Sequence, residues 1–219
     1  MNLKKLVTAA VCTMLMAAVA FTAGCGGEKK SDKKVLKVGM ECAYAPYNWS
    51  QTKADGGAVK IAGSNEYAYG YDVMMAKKLA DSMGADLEIH KIEWDGLAPA
   101  VVSGKIDAAI AGMSITSKRK ETVDFTKPYY YATVVALVKK DSEQAKAQSV
   151  ADLKGSVATS QLNTIWYDQI DQVPDVKKLP AIDTVPGMIV ALTSGKCNLI
   201  VTDIPTAKAA AFANPELTV

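Results

Sequence analysis

Ser114, Thr116 and Arg119 crowd into the stretch from Ala111 to Tyr131, AGMSITSKRKETVDFTKPYYY, and together they have the makings of an anion site. Two hydroxyls and the backbone N–H groups of a polar turn precede a short basic helix opened by SKRKE. Its N-terminal dipole favours negative charge, and Thr116 can cap its first turn. Arg119, one turn in, adds a planar guanidinium able to grip a carboxylate through two parallel charge-assisted hydrogen bonds, which a lysine ammonium cannot do. The same residues would also serve as a capped surface helix with its basic side chains in water, so the choice falls to the elements around them.

Those elements repeat. GLAPAVVSGKIDAAIAG, from Gly96 to Gly112, matches GMIVALTSGKCNLIVTD, from Gly187 to Asp203, at a constant offset of 91 residues. Gly96 pairs with Gly187, Ala100 with Ala191, and Ser103-Gly104-Lys105 with Ser194-Gly195-Lys196. One helix-turn-strand unit occurring twice predicts two similar lobes. In open parallel sheets ligands bind beyond the carboxyl ends of strands, and the equivalent ends are Gly112 and Asp203. Facing lobes would present a carboxylate reader and a carboxylate across one cleft. Arg119 suits an α-carboxylate and Asp203 an α-ammonium, which is the complement of an amino acid. Asp203, standing before Ile204-Pro205, fits a helix cap equally well.

The rest of the chain alternates strand and helix. Val35 to Met40 reads as a buried parallel strand ending at ECAYAPYNW, where Pro46 stops it and three aromatics gather as a ligand wall or as loop packing. Residues 50–65 are polar and Gly-rich, a hairpin or excursion loop. Asp72 is expected to cap a helix with Val73, Ala76, Ala80 and Met83 on one face and Gly84 at its end. A strand over 87–92 carries the one histidine, His90, with no second ligand or nucleophile nearby, which gives it a structural role. Asp95 is expected to cap the helix running through Leu97 and Val101 to Gly104, and a strand follows over 106–111. The β-branched run from Tyr129 to Lys140 reads as a hinge strand. Beyond it come a short helix capped by Ser149, a strand over 156–160, and a helix opened by Asn163 or Thr164. A strand near 176–182, the repeated helix and strand, a helix over 205–213 and a strand at Leu217 complete the pattern. Such alternation predicts a parallel α/β sheet.

At the start, MNLKK and the apolar run from Leu6 to Thr22 form a signal peptide over residues 1–24, the run being shorter than the ~20 residues of a membrane span. It ends in TAGC, resembling a lipobox that lipidates Cys25, with Thr22 where leucine is usual; residues 25–34 then form a polar tether. Lys4 and Lys5 leave with the signal and no acid does, so 25 basic and 23 acidic residues become 23 and 23. A neutral chain without basic clusters excludes nucleic acid as a partner and provides no polybasic membrane signal. Of four cysteines, Cys42 and Cys197 remain once Cys12 and Cys25 are accounted for. Their spacing fits no metal site, and their placement on different lobes leaves them unpaired.

The AYAP turn, GYDV, WDGLAPAVVSGKIDAAIAGMSIT, the arginine of SKR, VDFTKPYY, DLKG and the SGK-to-Asp203 unit together resemble the polar amino-acid branch of the ABC-transporter solute-binding proteins, the family 3 periplasmic binding proteins. The resemblance covers nearly the whole mature chain. It implies a two-lobed α/β fold with a hinge: lobe 1 over 35–131, a hinge strand over 132–139 and lobe 2 over 140–219. The family's chain then returns to lobe 1, so a sequence ending at Val219 is expected to be a fragment with lobe 1 incomplete. By the same resemblance Tyr44 and Trp94 sandwich the ligand, Gly112, Ser114 and Arg119 bind its carboxylate, and Ser160, Thr164 and Asp203 contribute from lobe 2. Glu41 stands where the family reads the ligand side chain, and an acid beside two rings favours a basic or amide side chain. Leu162 occupies what the family fills with glycine, leaving Thr164 in doubt and Asn163 or Gln161 as substitutes. The implied partners are an amino acid and a membrane permease, with no cofactor, no metal and no catalysis. The implied location is outside the cytoplasmic membrane, lipid-anchored or periplasmic. The rivals are a dehydratase resembling the cyclohexadienyl dehydratases, with Glu41 as proton donor, and a ligand sensor on the same scaffold.

Overall fold

Strand β1, Val35–Met40, sits at the centre of the first sheet and buries one face, Leu36, Val38 and Met40, in the core. The computed structural model describes residues 34–219, so the signal segment, Cys25 and the tether through residue 33 lie outside the described residues. After β1 the chain makes an antiparallel excursion of four short strands, β2 (Ala43–Tyr44), β3 (Asn48–Gln51), β4 (Val59–Lys60) and β5 (Tyr67–Tyr69), ordered β2-β3-β5-β4. Residues 50–65, expected as a hairpin or excursion loop, lie within this antiparallel excursion, with strand at 50–51 and 59–60 and mostly turns elsewhere. Helix α1, Tyr71–Met83, then returns the chain to β6, Asp86–Lys91, which pairs parallel with β1. On the other side of β1 lies β7, Ala108–Ala109, reached through a single 3-10 turn at Trp94–Gly96 and helix α2, Leu97–Val102.

Two expected helix starts differ. Helix α1 begins after Gly70, whose φ of 129° lets its backbone press on Tyr47; a Cβ there would lie 2.3 Å from the Tyr47 carbonyl oxygen. Asp72 is inside the helix and caps nothing, its carboxylate being drawn instead to Asn48 and Tyr129. Asp95 likewise makes no cap bond and accepts from Asn163. Val73, Ala76 and Ala80 do face the core, but Met83 is 53% exposed, and Gly84 ends the helix in the left-handed conformation.

The second sheet has the order β10-β9-β11-β8-β12: Lys177–Lys178, Val157–Thr159, Leu199–Asp203, Val134–Lys139 and Leu217–Thr218. Strands β9, β10 and β11 run parallel, while β8 is antiparallel to β11 and β12. Strands expected over 106–111, 156–160 and 176–182 are thus shorter than their apolar runs, since only the residues facing a neighbouring strand can pair. Ser149 opens the turn Val150–Leu153 as expected, with Asp152 accepting from its N–H at 2.8 Å.

The repeat governs both sheets. Ala108 and Ala109 pair with Val38 and Gly39, and the residues 91 positions on, Leu199 and Ile200, pair with Ala158 and Thr159. The helices preceding them, α2 and α5 (Val185–Thr193), bury Leu97 and Ala100 or Met188 and Ala191 at matched positions. Leu97 is wholly buried against the backbone of Gly39. Cys42 and Cys197 are free and buried.

Candidate functional site

The equivalence of Val38 with Ala158 makes Glu41 and Gln161 equivalent as well, each just beyond the carboxyl end of its strand. The two meet: the Gln161 Nε2 amide donates to both oxygens of Glu41, at 3.2 and 3.0 Å, and to the Asp183 carbonyl at 3.0 Å. Glu41 is 2% exposed, and burial, with Glu93 nearby, pushes its carboxyl up to about 7 despite the amide's opposing pull.

Around this pair the two sheets approach through the residues at their strand ends. Thr116 caps the short helix α3, Ser117–Lys120, accepting from Arg119 N at 3.1 Å, as its position before SKRK demands. That cap aims the Arg119 side chain away from solvent. Nη1 donates to the Ser114 carbonyl at 2.6 Å, Nη2 donates across to the Asn163 carbonyl at 2.8 Å, and the guanidinium lies 5.4 Å from the Trp94 ring centre. Burial lowers the Arg119 pKa. Tyr44, Trp94, Gly112, Ser114, Arg119, Gln161, Thr164 and Trp166 line a narrow space here. Tyr44, Gly112, Ser114 and Trp166 also wall a larger cavity of about 360 Å³ that reaches Asp203.

Asp203 ends β11 and opens helix α6, Ile204–Ala213, accepting from Thr206 N at 2.9 Å, so the cap reading holds. Its other carboxylate oxygen accepts from the Tyr44 hydroxyl, and Tyr47 OH stands 3.5 Å from Oδ1. The Tyr44 and Tyr47 rings stack at 4.8 Å and are buried with the second sheet's core, so two of the three aromatics after β1 pack against the opposite sheet, while Trp49 packs on Tyr69.

Residues 36–179 match the bacterial extracellular solute-binding proteins, family 3. The chain belongs to this family. A Campylobacter jejuni protein named "Probable histidine-binding protein" is 31% identical over 182 residues, 83% of this chain and 65% of its own length. The Escherichia coli ABC transporter arginine-binding protein 1 is 29% identical over 216 residues, 98% of this chain and 77% of its own. The chain thus spans about two thirds to three quarters of the length of these relatives. Among solved structures, a truncated arginine-bound ArgBP from T. maritima superposes with a TM-score of 0.70 at 30% identity, covering 84% of this chain and 80% of that one. An ancestral arginine-binding protein bound to glutamine gives 0.72 at 31% identity over 85% and 77%. These relatives are binding proteins.

Tyr44, Trp94, Gly112, Ser114, Arg119 and Thr164 share the narrow space, and Glu41 and Asp203 border it through Gln161 and Tyr44. Ser160 turns away, its hydroxyl donating to the Val201 carbonyl at 2.6 Å inside the sheet. Gly112 N–H donates to Tyr129 OH at 2.9 Å, and that hydroxyl donates to Asp72 at 2.7 Å, so the backbone at Gly112 is held from behind by Asp72, Asn48 and Tyr129. The turn residue with left-handed backbone is Asn163, φ 54°, rather than Leu162. Thr164 is the N-cap residue of helix α4, Ile165–Gln169, with its hydroxyl donating to the Gln161 carbonyl at 2.7 Å. Gln161 as the partner of Glu41 and Trp166 as a wall are additions, and the first follows only from the registers of β1 and β9.

A buried carboxyl held up at about 7 makes a stability prediction. Its folded value lies above the unfolded 4.5, so the stability it contributes is complete below pH 4.5 and lost as pH rises through 7. Glu41→Gln removes that loss. Above pH 7 the variant should be more stable than wild type by about 2 to 3 kcal/mol, several degrees in Tm, with no difference at pH 4. Parallel melts across pH 4–8 check this, and a gap independent of pH would contradict it.

Proposed function

We propose that this chain is the extracytoplasmic receptor of an amino-acid importer, closing two lobes on a basic or amide L-amino acid and presenting the closed form to a membrane permease. On this reading the first sheet and its excursion form lobe 1, 35–131, residues 132–139 the hinge, and 140–219 lobe 2. Cys25 carries the lipid that anchors the chain. Arg119 takes the ligand carboxylate, Asp203 its ammonium, and Trp94 and Tyr44 flank its side chain. No covalent step is required: a ligand bridging groups from both sheets stabilises only the closed arrangement.

The observation that carries the choice of side chain is the buried Glu41 carboxylate, whose partner is an amide donor from the opposite sheet. A guanidinium, ammonium or amide N–H can replace that donor, whereas a ligand carboxylate would set two buried negative charges together. Competition calorimetry across arginine, lysine, histidine, glutamine and glutamate tests it. Arginine or lysine is expected tightest and glutamate weakest; glutamate as the tightest ligand would sink the reading. The pH dependence follows from the same carboxyl. A cationic side chain needs Glu41 ionised, so arginine affinity should be flat above about pH 7 and fall by up to about tenfold per unit as pH drops below it. In Glu41→Gln that slope should vanish.

A further inference from the structure

We propose that Asn163 is the clasp of the cleft, a positioning residue that fixes Arg119 and sets how long a bound ligand stays. This rests on the reading of the cleft as the ligand site. From one residue on the second-sheet turn, three hydrogen bonds cross to the first sheet's side. The Asn163 carbonyl accepts from Arg119 Nη2 at 2.8 Å and from Trp94 Nε1 at 3.4 Å, while Asn163 Nδ2 donates to Asp95 Oδ1 at 2.9 Å. The first two bonds reach residues that line the narrow space, and the third reaches the residue next to Trp94.

The backbone explains how one residue does this. At φ 54° the carbonyl is turned out of the path of both flanking elements, and asparagine is one of the few residues with a side chain that tolerates this conformation. Glycine would adopt it as readily but would have no amide to reach Asp95. The two halves of the residue therefore do different work. The carbonyl, with the Ser114 carbonyl, fixes two of the five N–H groups of the guanidinium and leaves the remainder free to meet a carboxylate. The side chain ties the turn to Asp95 at the solvent-facing rim, so the cleft cannot open without breaking it. The clasp and a ligand on Arg119 support one another, which lengthens residence without adding a ligand contact.

Asn163→Gly tests the side chain without straining the backbone. In the full chain we expect its melting temperature to stay within about two degrees of wild type. The dissociation rate of L-arginine in stopped flow should rise about fivefold, as loss of one solvent-exposed hydrogen bond of ordinary strength implies, with the association rate unchanged. Asp95→Ala should give the same rise, and the double variant no more than either alone. Asn163→Asp, which sets a carboxylate against Asp95, should exceed both. Unchanged dissociation in Asn163→Gly, or additive effects in the double variant, would overturn the clasp. Hydrogen exchange of the ligand-free protein separates this from the choice of ligand. Amides in segments 94–97 and 163–166 should exchange faster in Asn163→Gly whether or not arginine binds, and equal exchange would overturn the clasp by itself. Failure of wild type to bind any amino acid, with that faster exchange present, would instead overturn the reading of the cleft.

Discussion

Arg119→Ala should abolish useful ligand binding while leaving the chain folded. Its cap is unaffected, because Thr116 accepts from the backbone N–H of residue 119 and not from the side chain. What is lost is the guanidinium bridging the Ser114 and Asn163 carbonyls beside Trp94. A ligand carboxylate brought into this half-buried place would then be desolvated without its bidentate partner, a loss of about 2 to 5 kcal/mol. That corresponds to a Kd weaker by at least about thirtyfold. Arg119→Lys should recover little of it, since an ammonium cannot hold two carbonyls and a carboxylate in one plane. The Asn163 carbonyl keeps the Trp94 Nε1 donor and the Ser114 carbonyl can turn to water, so the stability cost stays at about 1 kcal/mol. Calorimetry with arginine decides the matter; an affinity within threefold of wild type would remove Arg119 from the site.

Much of this geometry was legible in the sequence, and the limits have physical causes. The cap at Thr116, the central strand β1 and the doubled helix-turn-strand unit depend on local chemistry or on internal similarity, and each appears where expected. Asp72 and Asp95 were misread because an acid before an apolar run has the pattern of a cap. Their partners, Asn48, Tyr129 and Asn163, lie far away in sequence, and a bond made in the folded state outweighs a local preference worth about 1 kcal/mol. Residues 50–65 fit a hairpin or a loop equally well in the sequence because the excursion's strands are two to four residues long, too short for a period to emerge. Ser160 enters the site only through the family resemblance, and its hydroxyl donates to the Val201 carbonyl. Gln161 meets Glu41 by the internal symmetry of the fold, a relation visible only once the registers of β1 and β9 are known.

Asp203→Asn should separate binding from stability, moving them in opposite directions. The carboxylate is 1% exposed, and its contacts are the Thr206 N–H, the Tyr44 hydroxyl and, at 3.5 Å, the Tyr47 hydroxyl. Among the described residues no lysine, arginine or histidine forms an ion pair with it. A buried carboxylate held only by neutral donors is costly, and a cation bound beside it would offset that cost. Asparagine keeps the oxygen that caps α6, and its amide can donate to Tyr44 after the hydroxyl rotates, so the fold loses a buried charge and little else. The melting temperature should hold or rise. An α-ammonium, however, would lose its counter-charge in a site shielded from water, about 2 to 5 kcal/mol. The des-amino analogue of the same ligand should lose far less, because it never had that contact. Calorimetry with both ligands on wild type and variant isolates the ammonium term, and equal losses for the two would show that Asp203 serves only as the cap of α6 and the anchor of Tyr44.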